Sequence, residues 1–420
     1  MVGVITGSLA ARLLFPEGRG ALAAALFWPQ IMAGLGLLSL NEAATYSIAA
    51  YPDRRPVIKA SVVWLSIFFS VIVMCIGYLL IPVLLGDQRA DLVSISQVYL
   101  LVFIPFNFIG LSLLAGDQGE LRFFRYNLLR LMGPVIYLSG LVVFWMTDIV
   151  SVASVAILNA VATVIVAITR FAIQRNAAFL QPSLREMVGL TRLAFQFHPA
   201  SILLMLAAQA DQFVVLSLWD NASLGHYMVA LTVATSGLAI VSGTFQKVLS
   251  PYLSHMADPK DQARLLARSV RHATLLILLL SMPIAIIMPW LIVFLFGKAF
   301  SASIVPAWIL LGAYLFVGLK TIIIQCLKGM GRGYPGSVAA MISGGLFLAV
   351  AWPFGHAFGL IGIGIALGIS NSVSVGFLFQ YLRRHYGLSL ADLWGLSPTA
   401  IGEFRTSLVR ANPLAIKVTI

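Results

Sequence analysis

The residues able to do chemistry in this chain sit inside long apolar runs. Asp211 lies between Gln209 and Gln212 in a run from Pro199 to Leu218. A carboxylate in such a run costs on the order of 3 kcal/mol on insertion scales, so it turns to a cavity or a partner. Lys320 stands in another run, about 12 Å from Lys328 at 1.5 Å per residue. It is either a cavity cation for an anionic ligand or a lysine snorkelling to the nearer surface. Glu42 shares a helical face with Ser39 and Tyr46 by the i, i+3, i+7 spacing. It would take up a proton, or form a buried ion pair. Arg12 near the end of the first run would receive an anion or anchor the helix. Two arginine clusters, Arg122, Arg125, Arg130 and Arg264, Arg268, Arg271, would gather an anionic ligand or set topology and meet anionic lipid.

Composition excludes most other chemistry. Of 420 residues 60% are hydrophobic and 10% charged, with mean hydropathy +0.97. No soluble domain exposes so little charge, so the chain reads as a polytopic membrane protein. The formal charge of +12 sets topology in so apolar a chain rather than binding nucleic acid. Cys75 and Cys326 lie in apolar runs without disulfide or metal spacing. No His or acid cluster has metal-ligand spacing, and Gly329 to Gly333 is a loop at a helix end, not a phosphate cradle. No catalytic constellation emerges, so the expectation is a non-enzyme with neither cofactor nor metal.

These residues must be positioned by transmembrane helices, each needing roughly 20 apolar residues. Twelve runs are present, and the all-α expectation is two six-helix lobes in a parallel pseudo-two-fold repeat. The N-terminal lobe covers 1–172 and the C-terminal lobe 196–382. Between them 173–195 is a cytoplasmic linker with a short amphipathic helix, and 383–420 is a cytoplasmic tail. The first run, Met1 to Leu14, spans about 21 Å at 1.5 Å per residue, and reads as a first span missing a turn or two. Basic residues crowd the loops after even-numbered spans, while loops after odd-numbered spans carry only Arg19, Arg89 and Lys298. Both termini are therefore expected in the cytoplasm. The repeat pairs Leu14–Gly20 with Leu218–Gly225, Leu84–Asp87 with Leu295–Lys298, and Gly116–Gly119 with Gly329–Arg332. Like-oriented halves place a site between them near the midplane.

Three stretches carry a family resemblance: Gly18-Arg19-Gly20-Ala21 before the second span, Gly116 with Leu121 to Asn127 after the fourth, and Leu190 to Tyr252 with Asp211, Gly225, Tyr227, Ala230 and Pro251. In these the chain resembles the polysaccharide flippases of the multidrug/oligosaccharidyl-lipid/polysaccharide exporter superfamily. Phe15 departs from the pattern, which commonly has Gly there. The resemblance covers residues 1 to about 385. It implies movement of an undecaprenyl-diphosphate-linked oligosaccharide from the cytoplasmic to the periplasmic leaflet of the inner membrane by alternating access, for O-antigen, capsule or exopolysaccharide assembly. It also implies an acid at Asp211. The expected partners are that lipid-linked oligosaccharide, anionic membrane lipids, and a polysaccharide polymerase and chain-length regulator. The expected cavity residues are Asp211, Lys320, Glu42, Arg12, Gln209 and Gln212, with the two arginine clusters at its cytoplasmic mouth. A multidrug extruder of organic cations and a membrane-embedded glycosyltransferase or polymerase are the competing readings. The first would favour acids in its cavity, and the second would need larger loops.

Overall fold

The computed structural model describes residues 2–174, 181–254, 256 and 258–393. Residues 175–180 of the expected linker and 394–420 of the expected tail, with its Ser397-Pro398 helix start, lie outside the described residues. Every regular element among the described residues is helical. In chain order they are α1 (Val2–Gly36), α2 (Leu40–Ala50), α3 (Arg55–Leu85), α4 (Ala90–Gly119), α5 (Phe123–Thr147), α6 (Val152–Gln174), α7 (Leu184–Leu218), α8 (Asn221–Ser254), α9 (Pro259–Phe296), α10 (Ile304–Gly329), α11 (Tyr334–Tyr386) and α12 (Leu390–Leu393).

Two of these helices each hold two spans. α1 breaks at Phe15, which takes φ 56° and ψ 177°. Pro16 disfavours helical geometry at the residue before it, and the helix breaks there. α11 has 53 residues, about 80 Å if straight, and breaks at Gly359 with φ 60°. With α3 to α10 and the continuation of the second span in α2, this makes the twelve spans read from the sequence.

The second span is broken in mid-course. Leu37 to Ser39 form a turn, with Leu38 at φ 53° and Ser39 at φ 59°. This turn lies just before the polar pair Asn41-Glu42, and helix resumes at Leu40. A second difference lies at the start of α7. Leu184–Leu218 is one helix of 35 residues, so the short surface helix expected ahead of the seventh span is that span's own first turns. Leu184-Arg185-Glu186-Met187 follow Ser183 and carry no helix breaker, so nothing ends the helix there.

The repeat is visible in backbone hydrogen bonds. At the end of α4 the N–H groups of Glu120, Leu121 and Arg122 donate to the carbonyls of Gly116, Gln118 and Asp117. At the end of α10, Met330, Gly331 and Arg332 donate in the same way to Cys326, Lys328 and Leu327. The residue with positive φ is Leu121 (58°) in one and Gly331 (72°) in the other. Gly329 therefore matches Gly119 rather than Gly116, because the left-handed cap fixes the register. The pairing of Gly86 with Gly297 holds, both with positive φ, at 65° and 98°.

The chain divides into two compact units. One comprises Met1–Ala208, Val215–Val229 and Leu295–Phe300, the other Gln209–Val214, Ala230–Phe294 and Ser301–Ile420. The first has a core of Ala10, Leu22, Tyr99, Leu141, Val155 and Ala160. The second has a core of Leu266, Val270, Ile322, Cys326, Ala339 and Leu378. Small residues at such contacts let helices approach closely, which is what drives packing among lipid tails.

Candidate functional site

In the first unit α1, α4, α5 and α6 enclose a cavity of about 400 Å³. Its polar lining is Thr6, Asn107, Arg130, Tyr137, Asn159, Thr163 and Arg170. Asn159 accepts a 2.8 Å hydrogen bond from the buried Tyr99 hydroxyl, which fixes the α6 wall to α4. The Arg170 guanidinium is buried, and its Nη1 and Nη2 donate to the carbonyls of Gly110 (2.9 Å) and Leu129 (3.3 Å). Pro134 cannot donate to the Arg130 carbonyl, which leaves an acceptor in the same wall. Among the described residues no carboxylate lines this cavity.

Next to it the turn after α4 is held by ion pairs. Asp117 is fully buried, and Oδ1 accepts from Arg125 Nε at 2.6 Å and from Nη2. Glu120 pairs with Lys59 and, at 3.0 Å, with Arg122. Of the first expected head-group cluster, Arg122 and Arg125 are thus committed to carboxylates within the lobe, whereas Arg130 lines the cavity.

The broken second span brings Ser39 Oγ to 3.4 Å from Nδ1 of the buried His198 on α7. Glu42 lies within electrostatic range of the same imidazole, and its own side chain is exposed, as is Tyr46. At the other end of the unit Ser8 Oγ and Arg12 Nε (2.8 Å) both donate to the Leu295 carbonyl, in the last turn of α9. Arg12 therefore completes a helix C-terminus, where unpaired carbonyls and the helix dipole favour a cation.

The turns between the first and second spans and between α7 and α8 meet. A Cβ on Gly20 would strike the Asn221 carbonyl, and one on Gly225 would strike the Pro16 carbonyl. Beside them Arg89 is buried, with Nε donating to Asn221 Oδ1 (2.9 Å) and Nη2 to the Trp219 carbonyl (2.8 Å). Burial pulls its guanidinium below the ordinary pKa, and Asp220 and Asp91 oppose that. Glu17, Arg89 and Asp220 share an outer hollow of about 340 Å³. The Ser223 backbone N–H (2.8 Å) and hydroxyl hold the Asp220 carboxyl below the usual carboxylate range.

In the second unit Lys320 Nζ donates to Asn371 Oδ1 (2.6 Å) and Ser343 Oγ (2.9 Å). It ties α10 to both halves of α11, and no carboxylate partners it among the described residues. Asp211 is buried, and its Oδ1 accepts the backbone N–H of Gln212 at 2.8 Å. Gln212 donates to Gln209 at 3.1 Å, and the Tyr314 phenol lies within electrostatic range of Asp211. Arg264 pairs with Asp261 at 3.3 Å near the start of α9, where Arg271 lies close to Asp392 and Arg268 is exposed.

A family model described as polysaccharide biosynthesis protein matches residues 1–257. The chain belongs to this family. Among curated proteins none matches it. Solved structures give its fold. The chain is similar to the lipid II flippase MurJ in an inward closed conformation, with TM-score 0.79 and 14% identity over 98% of this chain and 90% of that one. It is similar to an inward-facing multidrug resistance MATE family transporter of the MOP superfamily, with TM-score 0.75 and 16% identity over 92% and 94%. A MOP superfamily transporter from Pyrococcus furiosus, described as having a binding pocket of reverse polarity, gives TM-score 0.58 and 14% identity over 92% and 98%. This polysaccharide biosynthesis family member therefore has the flippase and multidrug-transporter fold, and is a multi-pass membrane protein. Sequence reasoning missed Arg170, Asp117, Glu120 and His198. A count of every charged residue inside the runs would have found Arg170, four residues before the end of α6.

Proposed function

We propose that this protein is a flippase that carries an undecaprenyl-diphosphate-linked oligosaccharide from the cytoplasmic to the periplasmic leaflet of the inner membrane. Family membership supports the polysaccharide pathway, and the fold supports transport rather than synthesis. The observation that carries the reading is Lys320, an intramembrane cation held by the neutral Ser343 and Asn371, with no carboxylate partner among the described residues. A cation so placed suits the diphosphate of an anionic cargo. An extruder of organic cations would rely instead on acids such as Asp211 and Glu42, and drug resistance on expression without a polysaccharide defect would decide for that reading.

In this account two six-helix lobes rock about the cargo, and both termini stay in the cytoplasm. Asp211, Gln209, Gln212 and Glu42 offer acceptors and donors to sugar hydroxyls. Arg264, Arg268 and Arg271 draw in the head group, and Arg12 stands at the far end of the path. The flipped product is what a polysaccharide polymerase and its chain-length regulator would consume. The experiment is replacement of the chromosomal gene by Lys320→Ala. Loss of surface polysaccharide with normal protein in the membrane supports the proposal, and unchanged polysaccharide refutes the assignment.

A further inference from the structure

The cavity in the first unit has a property that no role assigned so far explains. Two guanidinium groups line it, Arg130 and Arg170, and neither forms an ion pair among the described residues. Arg130 makes no side-chain hydrogen bond among the described residues, and Arg170 uses two of its five N–H groups on carbonyls. Its Nε is buried and has no partner among the described residues. Arg170 is 7% exposed, and a buried charge is costly unless it is well compensated. Asp117 is the carboxylate that acts on it, and that group already holds Arg125.

We infer that this cavity is a binding site for the phosphate ester of an anionic phospholipid from the surrounding leaflet. Arg130 is about 10 Å from the start of α5, and Arg170 about 6 Å from the end of α6, at 1.5 Å per residue. Both guanidinium groups therefore lie near head-group depth, at the ends of the helices where basic residues concentrate. Access is from the bilayer, because α5 is nearly bare. Of its 25 residues only Leu129 and Leu141 are buried, and its exposed side chains include Phe124, Leu128, Leu131 and Val135. Asn107, Tyr137 and Thr163 supply further polar contacts for the ester and glycerol oxygens. Planar guanidinium groups bind phosphate oxygens in pairs, which a lone ammonium does not. The site is independent of which cargo the protein carries.

The phosphate of a diphosphate cargo shares this chemistry, so the test separates the two sources. The full chain in dodecyl maltoside is titrated with dioctanoyl phosphatidylglycerol, dioctanoyl phosphatidylcholine and sodium pyrophosphate, and its melting temperature is followed. Phosphatidylglycerol is expected to raise the melting temperature, and phosphatidylcholine at the same concentration to have a far smaller effect. In Arg130→Gln the phosphatidylglycerol concentration for half-effect should rise about tenfold, the loss of one charge-assisted contact. In Arg170→Gln the response should vanish. If Arg170→Gln does not fold, Arg130→Gln decides alone, since its side chain supports no other residue. An unchanged titration in Arg130→Gln, or equal responses to the two lipids, would overturn the inference. So would a response to pyrophosphate without one to phosphatidylglycerol.

Discussion

Gly20 and Gly225 face one another with no room for a side chain on either. The Gly225 nitrogen lies 2.7 Å from where a Cβ on Gly20 would stand, and the Gly20 nitrogen 3.1 Å from a Cβ on Gly225. The contact is reciprocal, since the nearest obstacles are the Asn221 carbonyl for Gly20 and the Pro16 carbonyl for Gly225. Reciprocity of this kind is what a two-fold relation produces. It joins two turns that the repeat makes equivalent.

Gly20→Ala and Gly225→Ala should each destabilise the protein by about 1–3 kcal/mol, as overpacking does. The obstacles are backbone atoms, so no side chain can swing aside. Thermal unfolding in detergent measures this, and wild-type melting in both variants would show that the two turns do not touch.

Phe15 is 64% exposed and sits at φ 56°, ψ 177°, a region that is essentially glycine's own and costs other residues about 1–3 kcal/mol. Phe15→Gly should raise the melting temperature, because glycine's extra entropy loss of about 0.5–1 kcal/mol is smaller. Phe15→Ala should not, since alanine keeps its Cβ. Equal melting of these two variants would remove the strain argument.

Asp117→Asn leaves Arg125 with only the more distant Glu120 carboxylate, 3.8 Å away. The loss should therefore fall at or below about 3–5 kcal/mol, the cost of a fully broken buried pair. The double variant Asp117→Asn/Arg125→Gln should lose less than the two single losses added together. Additive losses in a double-mutant cycle on melting would mean that the pair is not coupled.

The depressed pKa of Asp220 gives stability a pH dependence of known sign. The ionised carboxylate holds the Ser223 N–H, so its contribution is fully present above the ordinary carboxylate value of 3.8 and is lost as pH falls through the lower folded value. Asp220→Ala should melt below wild type near neutrality and converge on it in acid. A constant gap across that range would contradict the assignment.

The helices, their count and the repeat were legible because lipid forces long apolar runs, and runs show in composition. Breaks were less so. Phe15 could be placed by Pro16, whereas at Leu37-Leu38-Ser39 the only hints are the flanking Gly36 and Asn41 and Ser39 itself, which are weak inside so apolar a run. Among site residues Lys320 and Asp211 stood out as charges in apolar runs. Arg122 and Arg125 looked like a free basic cluster, because sequence distance hides that Asp117 and Glu120 fold back onto them. Arg170 sits at the edge of its run, where a basic residue passes for a loop charge.

The most direct test of the central claim is translocation in proteoliposomes loaded with an undecaprenyl-diphosphate-linked oligosaccharide, scored by lectin access to each leaflet over time. The account predicts transfer well above that of protein-free vesicles and its loss in Lys320→Ala. Transfer no faster than in protein-free vesicles, with the protein folded and inserted, would contradict it.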